Sequence, residues 1–298
     1  MLTAMRFGNE EDDAYVEDRR GEGGGGRRVG LQMGVGGTIV VLALSVLLKR
    51  NLFHDLGTSS SYSRPSGESA RSSASGQARI RDEEALKHLA VSAFNDAQKT
   101  WTSVLHGGGP GYRPARLVLF WDETRSGCGA AGAEMGPFYC PADERVYIDL
   151  GFYRDLAQRF GAPGDFAQAY VIAHEVGHHV QTVLGIEAQV RRGQRQNTRD
   201  RNRLSVLMEL QADCFAGVWG HAAQGRGLLE AGDIEEGLRA AAAVGDDRLQ
   251  KAATGHVSPE SFTHGSAAQR SHWFRRGLDS GRVESCDTFA AGPDGAAP

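Results

Sequence analysis

Residues 171–180 read Val-Ile-Ala-His-Glu-Val-Gly-His-His-Val and contain the pattern His-Glu-x-x-His. On a helix, His174 and His178 are one turn apart, so both imidazoles leave the same face. That spacing lets two neutral imidazole nitrogens bind one zinc ion. Glu175 lies about 100° further round the helix, where its carboxylate flanks the metal and can act as general base for zinc-bound water. The segment therefore predicts a central helix, from about residue 165 to residue 184, that carries a catalytic zinc site.

The third zinc ligand is predicted on the next long helix, which runs from about residue 202 to residue 224. A catalytic zinc ion usually has three protein ligands and one open position for water. Glu209 lies 31 residues beyond His178, and two antiparallel helices joined by a long loop can bring its carboxylate to the zinc. Asp213 is one turn further on the same face and suits the acceptor that fixes the other N–H of a ligand imidazole. The alternative is that both are ordinary surface acids, although the apolar residues around them make an unpaired carboxylate costly to bury.

Residues 263–270 form a second cluster of candidate site residues. His264 is a candidate for a hydrogen bond to the oxyanion that forms on the attacked carbonyl. Arg270 is a candidate partner for the two acids or for the substrate. A histidine at a helix start and a solvated arginine explain the same residues equally well. Another ligand set, that of the metzincins, is excluded because the position six residues after His178 holds Leu184.

The composition limits the class of protein. The chain has 298 residues, 23% of them charged, and a formal net charge of −4, so no basic field favours nucleic acid as a partner. The four cysteines lack the Cys-x-x-Cys spacing of a thiolate zinc site. Two disulfides and four buried free thiols are equally consistent with this composition. The candidate disulfides pair Cys128 with Cys140, across a glycine-rich stretch, and Cys214 with Cys286.

Residues 29–48 are twenty residues without a charge, which matches the roughly 20 residues needed to cross about 30 Å of hydrocarbon. We interpret them as a single uncleaved membrane anchor, and a buried core helix is the alternative. A cleaved signal peptide fits less well, because the apolar run is long and starts late and no Ala-x-Ala site follows. Five arginines precede the segment and three basic residues follow it closely, so the positive-inside rule places the N-terminus in the cytoplasm. The domain after the anchor would then lie outside, where disulfides can form.

The chain resembles the bacterial neutral zinc metallopeptidases, a family of membrane-anchored, zincin-like proteins. The resemblance covers about residues 82–290, with one further block near the N-terminus. Its blocks are Gly-Pro-Phe-Tyr-Cys-Pro-Ala-Asp at 136–143, Gly-Asp-Phe-Ala at 164–167, the motif region 169–181, Glu-Leu-Gln-Ala-Asp-Cys at 209–214, Thr-His-Gly-Ser at 263–266 and Val-Glu-Asp-Arg-Arg-Gly at 16–21. The resemblance implies a zincin fold and a Zn²⁺-dependent peptidase activity, and it adds little about the substrate. The chain matches the family's pattern at the three predicted ligands and at Glu175.

The predicted fold class is α+β, a zincin-like domain preceded by one transmembrane helix. A small twisted sheet is expected to pack against the active-site helix, and the second half of the domain is expected to be mainly helical. Two strands, at residues 115–121 and 145–150, follow a helix at residues 82–105. The predicted divisions of the chain are a disordered cytoplasmic tail (1–28), the anchor (29–48), a flexible serine- and glycine-rich linker (49–81) and the metallopeptidase domain (82–298).

These residues predict a membrane-anchored zinc endopeptidase that acts on peptide or protein substrates outside the cytoplasmic membrane. Zinc would lower the pKa of its bound water toward about 7, and Glu175 would pass the water proton to the leaving amine. The strand at 145–150 is expected to align an extended peptide along its edge. The alternative is a membrane-tethered binding or assembly module with a structural zinc, which would have no need of the acid at position 175. A cytoplasmic domain with the opposite topology is a third interpretation, and it predicts four free thiols.

Overall fold

The fold is built around a four-stranded mixed sheet. The computed structural model describes residues 5–8, 12–21, 71–106 and 111–290. The strands are β1 (Val16–Asp18), β2 (Arg116–Phe120), β3 (Glu123–Ser126), β4 (Gly129–Gly132), β5 (Phe138–Cys140) and β6 (Arg145–Asp149). The sheet has the order β1-β2-β6-β5, while β3 and β4 form a separate hairpin. Within the sheet β1, β2 and β6 are parallel, and β5 is antiparallel to β6.

The remainder of the described chain is mostly helical, as predicted, so the fold is mixed α+β. The helices are α1 (Arg71–Val104), α2 (Phe152–Gln158), α3 (Asp165–Val183), α4 (Ile186–Gln196), α5 (Arg201–Gly225), α6 (Asp233–Ala243), α7 (Asp246–Thr254) and α8 (Ala267–Ser280). Helix α3 carries the His-Glu-x-x-His motif and contacts α1, α5, α6 and the β5–β6 side of the sheet. Helix α1 begins at Arg71, so the last residues of the expected linker, 71–81, are helical.

Alternate residues of the inner strands are buried on opposite faces of the sheet. Side chains on one face join the main core with the helices, and these are Leu117, Leu119, Val146 and Ile148. Side chains on the other face form a smaller cluster, which consists of Val118, Phe120, Cys140 and Tyr147 with Phe138 packed against it. Strand β6 is paired on both sides, with β2 and with β5. The expectation that residues 145–150 offer a free edge to a peptide is therefore wrong, and the terminal strand on the α3 side is β5.

The N-terminal segment is part of the folded domain, which differs from the expectation of a disordered tail over residues 1–28. Strand β1 pairs in parallel with β2, with Val16 opposite Leu117. Glu17 accepts a hydrogen bond of 2.8 Å from Arg145 of β6. Met5 is only 7% exposed and belongs to the main core. These contacts hold residues 5–8 and 12–21 against elements that follow more than 90 positions later.

The predicted membrane anchor, residues 29–48, lies outside the described residues. Most of the predicted linker, residues 49–70, lies outside them as well. Among the helices that the structure describes, none combines the length and the apolar character that a membrane span requires.

Helices α5 and α8 contact each other through glycines, which lets their backbones approach closely. A Cβ atom placed on Gly277 of α8 would lie 1.9 Å from the carbonyl oxygen of Cys214, and one on Gly217 of α5 would lie 2.1 Å from the carbonyl oxygen of Phe274. On the other side of α5, a Cβ atom on Gly177 would lie 3.0 Å from the Ala212 carbonyl oxygen. Residues with side chains would force these helices apart. The close approach brings the buried polar groups of α3, α5 and α8 together.

Both predicted disulfides are present, and no cysteine is free. The Cys128–Cys140 bridge, with Cα atoms 5.8 Å apart, joins the end of the β3–β4 turn region to strand β5. The Cys214–Cys286 bridge, with Cα atoms 5.5 Å apart, joins α5 to the segment that follows α8. Disulfides form and persist in oxidising compartments.

Candidate metal centre

The structure brings the three predicted ligands together. The imidazoles of His174 and His178 leave the same face of α3, with ring centroids 4.8 Å apart. The Glu209 carboxylate of α5 lies between them, because Oε2 is 3.2 Å from Nε2 of His174 and Oε1 is 3.6 Å from Nε2 of His178. One ligand atom from each residue lies within 4.8 Å of the other two. Two imidazole nitrogens and a carboxylate oxygen are a donor set that suits a catalytic zinc ion.

Hydrogen bonds on the far side of each imidazole fix which nitrogen faces the metal. Nδ1 of His174 is 2.9 Å from Oδ1 of Asp213, and Nδ1 of His178 is 2.9 Å from Oε1 of Gln181. Each acceptor requires the proton on Nδ1, which leaves the lone pair on Nε2, the nitrogen that faces Glu209. This arrangement fits zinc, since the neutral form of each imidazole presents the lone pair of its Nε2 to the metal.

The Gln181 side chain was not among the residues predicted from the sequence. Its Nε2 donates to the Met208 carbonyl at 2.8 Å and to Oε1 of Gln211 at 3.1 Å, so its oxygen is directed to His178. Gln211 in turn donates to the Cys286 carbonyl at 3.0 Å. The sequence does contain an indication of this contact, because Gln181 is three residues after His178 and therefore on the same side of the helix.

Asp213 is completely buried and is held by three polar groups. Arg270 of α8 donates to both of its oxygens, from Nε at 2.8 Å and from Nη2 at 2.9 Å. Tyr170 of α3 donates its hydroxyl proton to Oδ1, and His174 binds the same oxygen. Burial alone would raise the pKa of Asp213, but Arg270 and His174 outweigh burial and lower it. Asp213 is therefore an anionic acceptor. Arg270 is a predicted partner either of the two acids or of the substrate, and in the structure it pairs with Asp213.

Protons compete with a metal ion for the two imidazoles. Burial would lower the pKa of His174, but Asp213 and Glu209 outweigh this effect and raise the pKa to about 10. Burial also opposes protonation of His178, whose pKa is nevertheless raised by Glu209. Metal binding must displace these protons, so the apparent affinity of the site falls as the pH falls.

Glu175 lies beside the ligand set and is not part of it. Its side chain is only 7% exposed, and it is close enough to His178 to raise the pKa of that imidazole. Within the described parts of the chain, its carboxylate accepts no hydrogen bond from a side chain or a backbone amide. A carboxylate placed in this way is available to a water molecule at the metal.

His264 is brought to the same site and is oriented by Asp246, a residue that was not predicted. Oδ1 of Asp246 is 3.2 Å from Nδ1 of His264, and Oδ2 accepts from the backbone amides of residues 263–265 at 2.7, 2.7 and 3.1 Å. Burial would lower the pKa of His264, but Asp246 and Glu209 raise it. The imidazole is one-third exposed, at 33%. It is thus a partly accessible proton donor within electrostatic range of a metal ligand.

His179, which follows the second ligand, has a structural role. It is fully buried. Its Nδ1 lies 3.0 Å from the hydroxyl of Tyr139 in β5, and its Nε2 lies 2.7 Å from the carbonyl oxygen of Arg113. Burial lowers its pKa. Both nitrogens have protein partners, so His179 ties α3 to the terminal strand β5.

Comparison with known proteins identifies the family of the chain. The sequence model of a family described as "Putative neutral zinc metallopeptidase" matches residues 5–289. The chain belongs to this family. The matched range includes strand β1 and all the site residues described above, so the N-terminal strand is part of the neutral zinc metallopeptidase module.

Relatives of this family member occur in Escherichia coli and in mycobacteria. The chain is 48% identical over 291 residues to "Uncharacterized protein YpfJ" of Escherichia coli K12, which covers 96% of this chain and 99% of the relative. It is 43% identical over 212 residues to "Uncharacterized protein Rv2575" of Mycobacterium tuberculosis H37Rv, which covers 67% of this chain and 70% of the relative. No solved structure matches the chain.

Proposed function

We propose that this protein is a zinc-dependent endopeptidase of zincin-like fold. The observation that carries the proposal is that the three carboxylates of the site have different positions and different partners. Glu209 lies between the two Nε2 atoms, Asp213 accepts from the outer nitrogen of His174, and Glu175 flanks the ligands with no protein partner among the described residues. A metal held for structure alone would not need that third carboxylate.

The chemistry follows from the groups around the site. His174, His178 and Glu209 would hold zinc, which when bound supplies a Lewis acid for the scissile carbonyl and lowers the pKa of bound water to about 7. Glu175 accepts a proton from the water molecule while the water oxygen forms a bond to the carbonyl carbon. The same carboxyl group then delivers the proton to the amide nitrogen as the C–N bond breaks. His264 donates a hydrogen bond to the carbonyl oxygen, on which negative charge develops.

The substrate is proposed to be an extended peptide that pairs with strand β5. This strand is the terminal strand of the sheet on the α3 side, and its Tyr139 is hydrogen-bonded to His179, the neighbour of a metal ligand. A terminal strand has unpaired backbone groups that can bind a peptide by adding it to the sheet. Such binding recognises backbone, which suits an endopeptidase for many peptide or protein sequences.

The rival proposal is a binding or assembly module with a structural zinc. A structural site is closed by four protein ligands. Among the described residues the cluster contains three donors, His174, His178 and Glu209, and no fourth histidine, cysteine or acid joins them within the same distances. The arrangement supports a position left for water, and therefore catalysis.

The location is also a proposal. The two disulfides support an extracytoplasmic domain, and residues 29–48 are proposed to attach it to the cytoplasmic membrane. A single crossing of the membrane by residues 29–48 would place β1 and β2 on opposite sides of the membrane. It is therefore incompatible with the pairing of these two strands. We propose that residues 12–21 lie in the same compartment as the catalytic domain.

The substitution Glu175→Gln tests the catalytic proposal. The variant should keep one zinc ion per chain and the thermal stability of the wild type, because the amide replaces a group that does not bind the metal. Hydrolysis of a broad peptide library should fall by at least about a hundredfold, as expected on loss of a general base. Glu235→Gln, on the exposed face of α6, is the matched control and should keep full activity. Equal turnover by the Glu175 variant, or full zinc without turnover in the wild type, would contradict the proposal.

A further inference from the structure

A second cluster of carboxylates lies where helices α3 and α6 begin. Asp165 is the first residue of α3, and Asp233 and Glu236 lie in the first turn of α6. One oxygen from each lies within 4.8 Å of the other two. Asp233 is only 2% exposed and Glu236 only 8%. Asp165 precedes the ligand His174 by nine residues, or about 13 Å along the helix, so this cluster is separate from the zinc site.

The hydrogen bonds of the cluster leave part of it without a partner. Asp165 accepts from the backbone amides of Met5 and Phe166, the latter at 2.8 Å. Asp233 accepts from the backbone amide of Glu230 at 2.8 Å. Oε2 of Glu236 is buried and has no hydrogen-bond partner.

No cation of the described chain is paired with the cluster. Arg6 pairs with Glu230 at 2.7 Å, and Arg239 affects the pKa of Glu236 without forming an ion pair. Three buried carboxylates are thus gathered without a basic side chain against them.

The charges of the cluster are only partly balanced by the backbone. A helix N-terminus carries about half an elementary positive charge, so the starts of α3 and α6 supply about one positive charge against three carboxylates. About two negative charges remain in a buried place, where unpaired charge is costly. Burial, and then the neighbouring Asp165, raise the pKa of both Asp233 and Glu236.

The backbone is shaped to let Glu236 enter the cluster. Gly164, the residue before α3, has a φ of +125°, a conformation that favours glycine. A Cβ atom on Gly164 would lie 1.9 Å from Oε2 of Glu236. Any other residue at position 164 would displace the unpartnered oxygen, so glycine leaves the space that this oxygen occupies.

We propose that Asp165, Asp233 and Glu236 bind a divalent hard cation, and that this cation is calcium. Calcium takes six to eight oxygen ligands, which carboxylates, backbone carbonyls and water supply. The cluster offers oxygen ligands alone, whereas zinc sites are built mainly from imidazole and thiolate. The residual charge of about minus two matches a divalent ion. A cation here joins the first residue of the zinc-binding helix to α6, so calcium stabilises the helix that presents the zinc ligands.

The test uses the zinc-loaded full chain, dialysed against calcium-free buffer and then titrated with calcium chloride. The melting temperature should rise by about 5–10 °C when calcium exceeds its dissociation constant a hundredfold. Terbium should bind with one-to-one stoichiometry, and calcium should displace it. Terbium emission should be excited through Trp219, which stacks on Phe166, the neighbour of Asp165, with ring centroids 5.7 Å apart.

Two variants separate the cluster from general surface charge. Glu236→Gln should lose the calcium-dependent shift, and Glu235→Gln, its exposed neighbour, should keep it. If Glu236→Gln does not fold, the terbium stoichiometry of the wild type decides. An absent calcium shift, absent terbium binding, or an equal loss of the shift in the Glu235 control would overturn the proposal. Protons would then balance the carboxylates.

Discussion

Asp213 binds Nδ1 of His174 at 2.9 Å while being completely buried itself. A metal ligand on one helix is thereby connected to an ion pair between two others, since Asp213 lies on α5 and its partner Arg270 on α8. Removing one member of a buried ion pair leaves an uncompensated charge. The geometry of the zinc ligand therefore depends on a helix that offers no ligand.

The first prediction concerns Arg270. Arg270→Ala should lower the free energy of unfolding by about 3–5 kcal/mol, the usual cost of breaking a buried pair. It should also weaken zinc binding by about 10–100-fold, the usual effect of losing outer-shell support. Zinc affinity is measured by chelator competition at a temperature where the variant is folded. Arg275→Ala, an exposed arginine on the same helix, is the control, and unchanged zinc affinity in the Arg270 variant would refute the positioning role.

The second prediction concerns Gln181. Gln181→Leu removes the acceptor for Nδ1 of His178, so the proton of that imidazole is no longer held away from the metal. Zinc affinity should fall by about tenfold or more. The free energy of unfolding should fall by about 1–3 kcal/mol, because the Met208 carbonyl and Oε1 of Gln211 lose a buried donor. Gln189→Leu, on the exposed side of the following helix, serves as the control. A Gln181 variant that binds zinc as tightly as the wild type would show that its hydrogen bond does not orient the ligand.

The third prediction concerns the pH dependence that Asp246 imposes through His264. Asp246 and Glu209 raise the pKa of His264, so the imidazole keeps its proton to a higher pH than an isolated histidine. Activity that needs this donor is present below the raised pKa and is lost as the pH rises through it. Asp246→Asn should move the alkaline limb of kcat/KM to lower pH, and His264→Gln should lower kcat by about a hundredfold. Asp279→Asn is the control. If the alkaline limb of kcat/KM stays at the same pH in the Asp246 variant, Asp246 does not set the protonation of His264.

Much of the metal centre could be predicted because its elements carry local signs. Helix α3 was expected at 165–184 and spans Asp165–Val183, since glycines stand at both ends. Glu209 was found because an acid inside an apolar stretch needs a buried partner. Asp246 and Tyr170 escaped prediction, because they meet His264 and Asp213 only through tertiary contacts. Strand β1 escaped for the same reason, since three residues show no periodicity and their partner lies about a hundred positions away.

The fourth prediction compares the two disulfides. Replacing Cys214 and Cys286 by serine should cost about 4 kcal/mol of stability, against about 3 kcal/mol for Cys128 and Cys140, from the lengths of the closed loops. Only the first pair should also weaken zinc binding, because Cys214 adjoins Asp213 and the Cys286 carbonyl holds Gln211. Chelator competition on both double variants measures this difference. An equal effect of the two double variants on zinc affinity would show that the Cys214–Cys286 bridge does not support the metal centre.

The fifth prediction concerns membrane topology. Strand β1 pairs with β2, and paired strands must share a compartment, so residues 12–21 and the catalytic domain are expected on the same side of the membrane. In spheroplasts of a bacterial host, protease added outside should remove an N-terminal epitope tag and a C-terminal tag together. Alkylation should find the four cysteines reactive only after reduction. A cytoplasmic host protein that stays intact is the control. Protection of the N-terminal tag alone would establish the single crossing and would show that β1 does not complete the sheet in the membrane-bound protein.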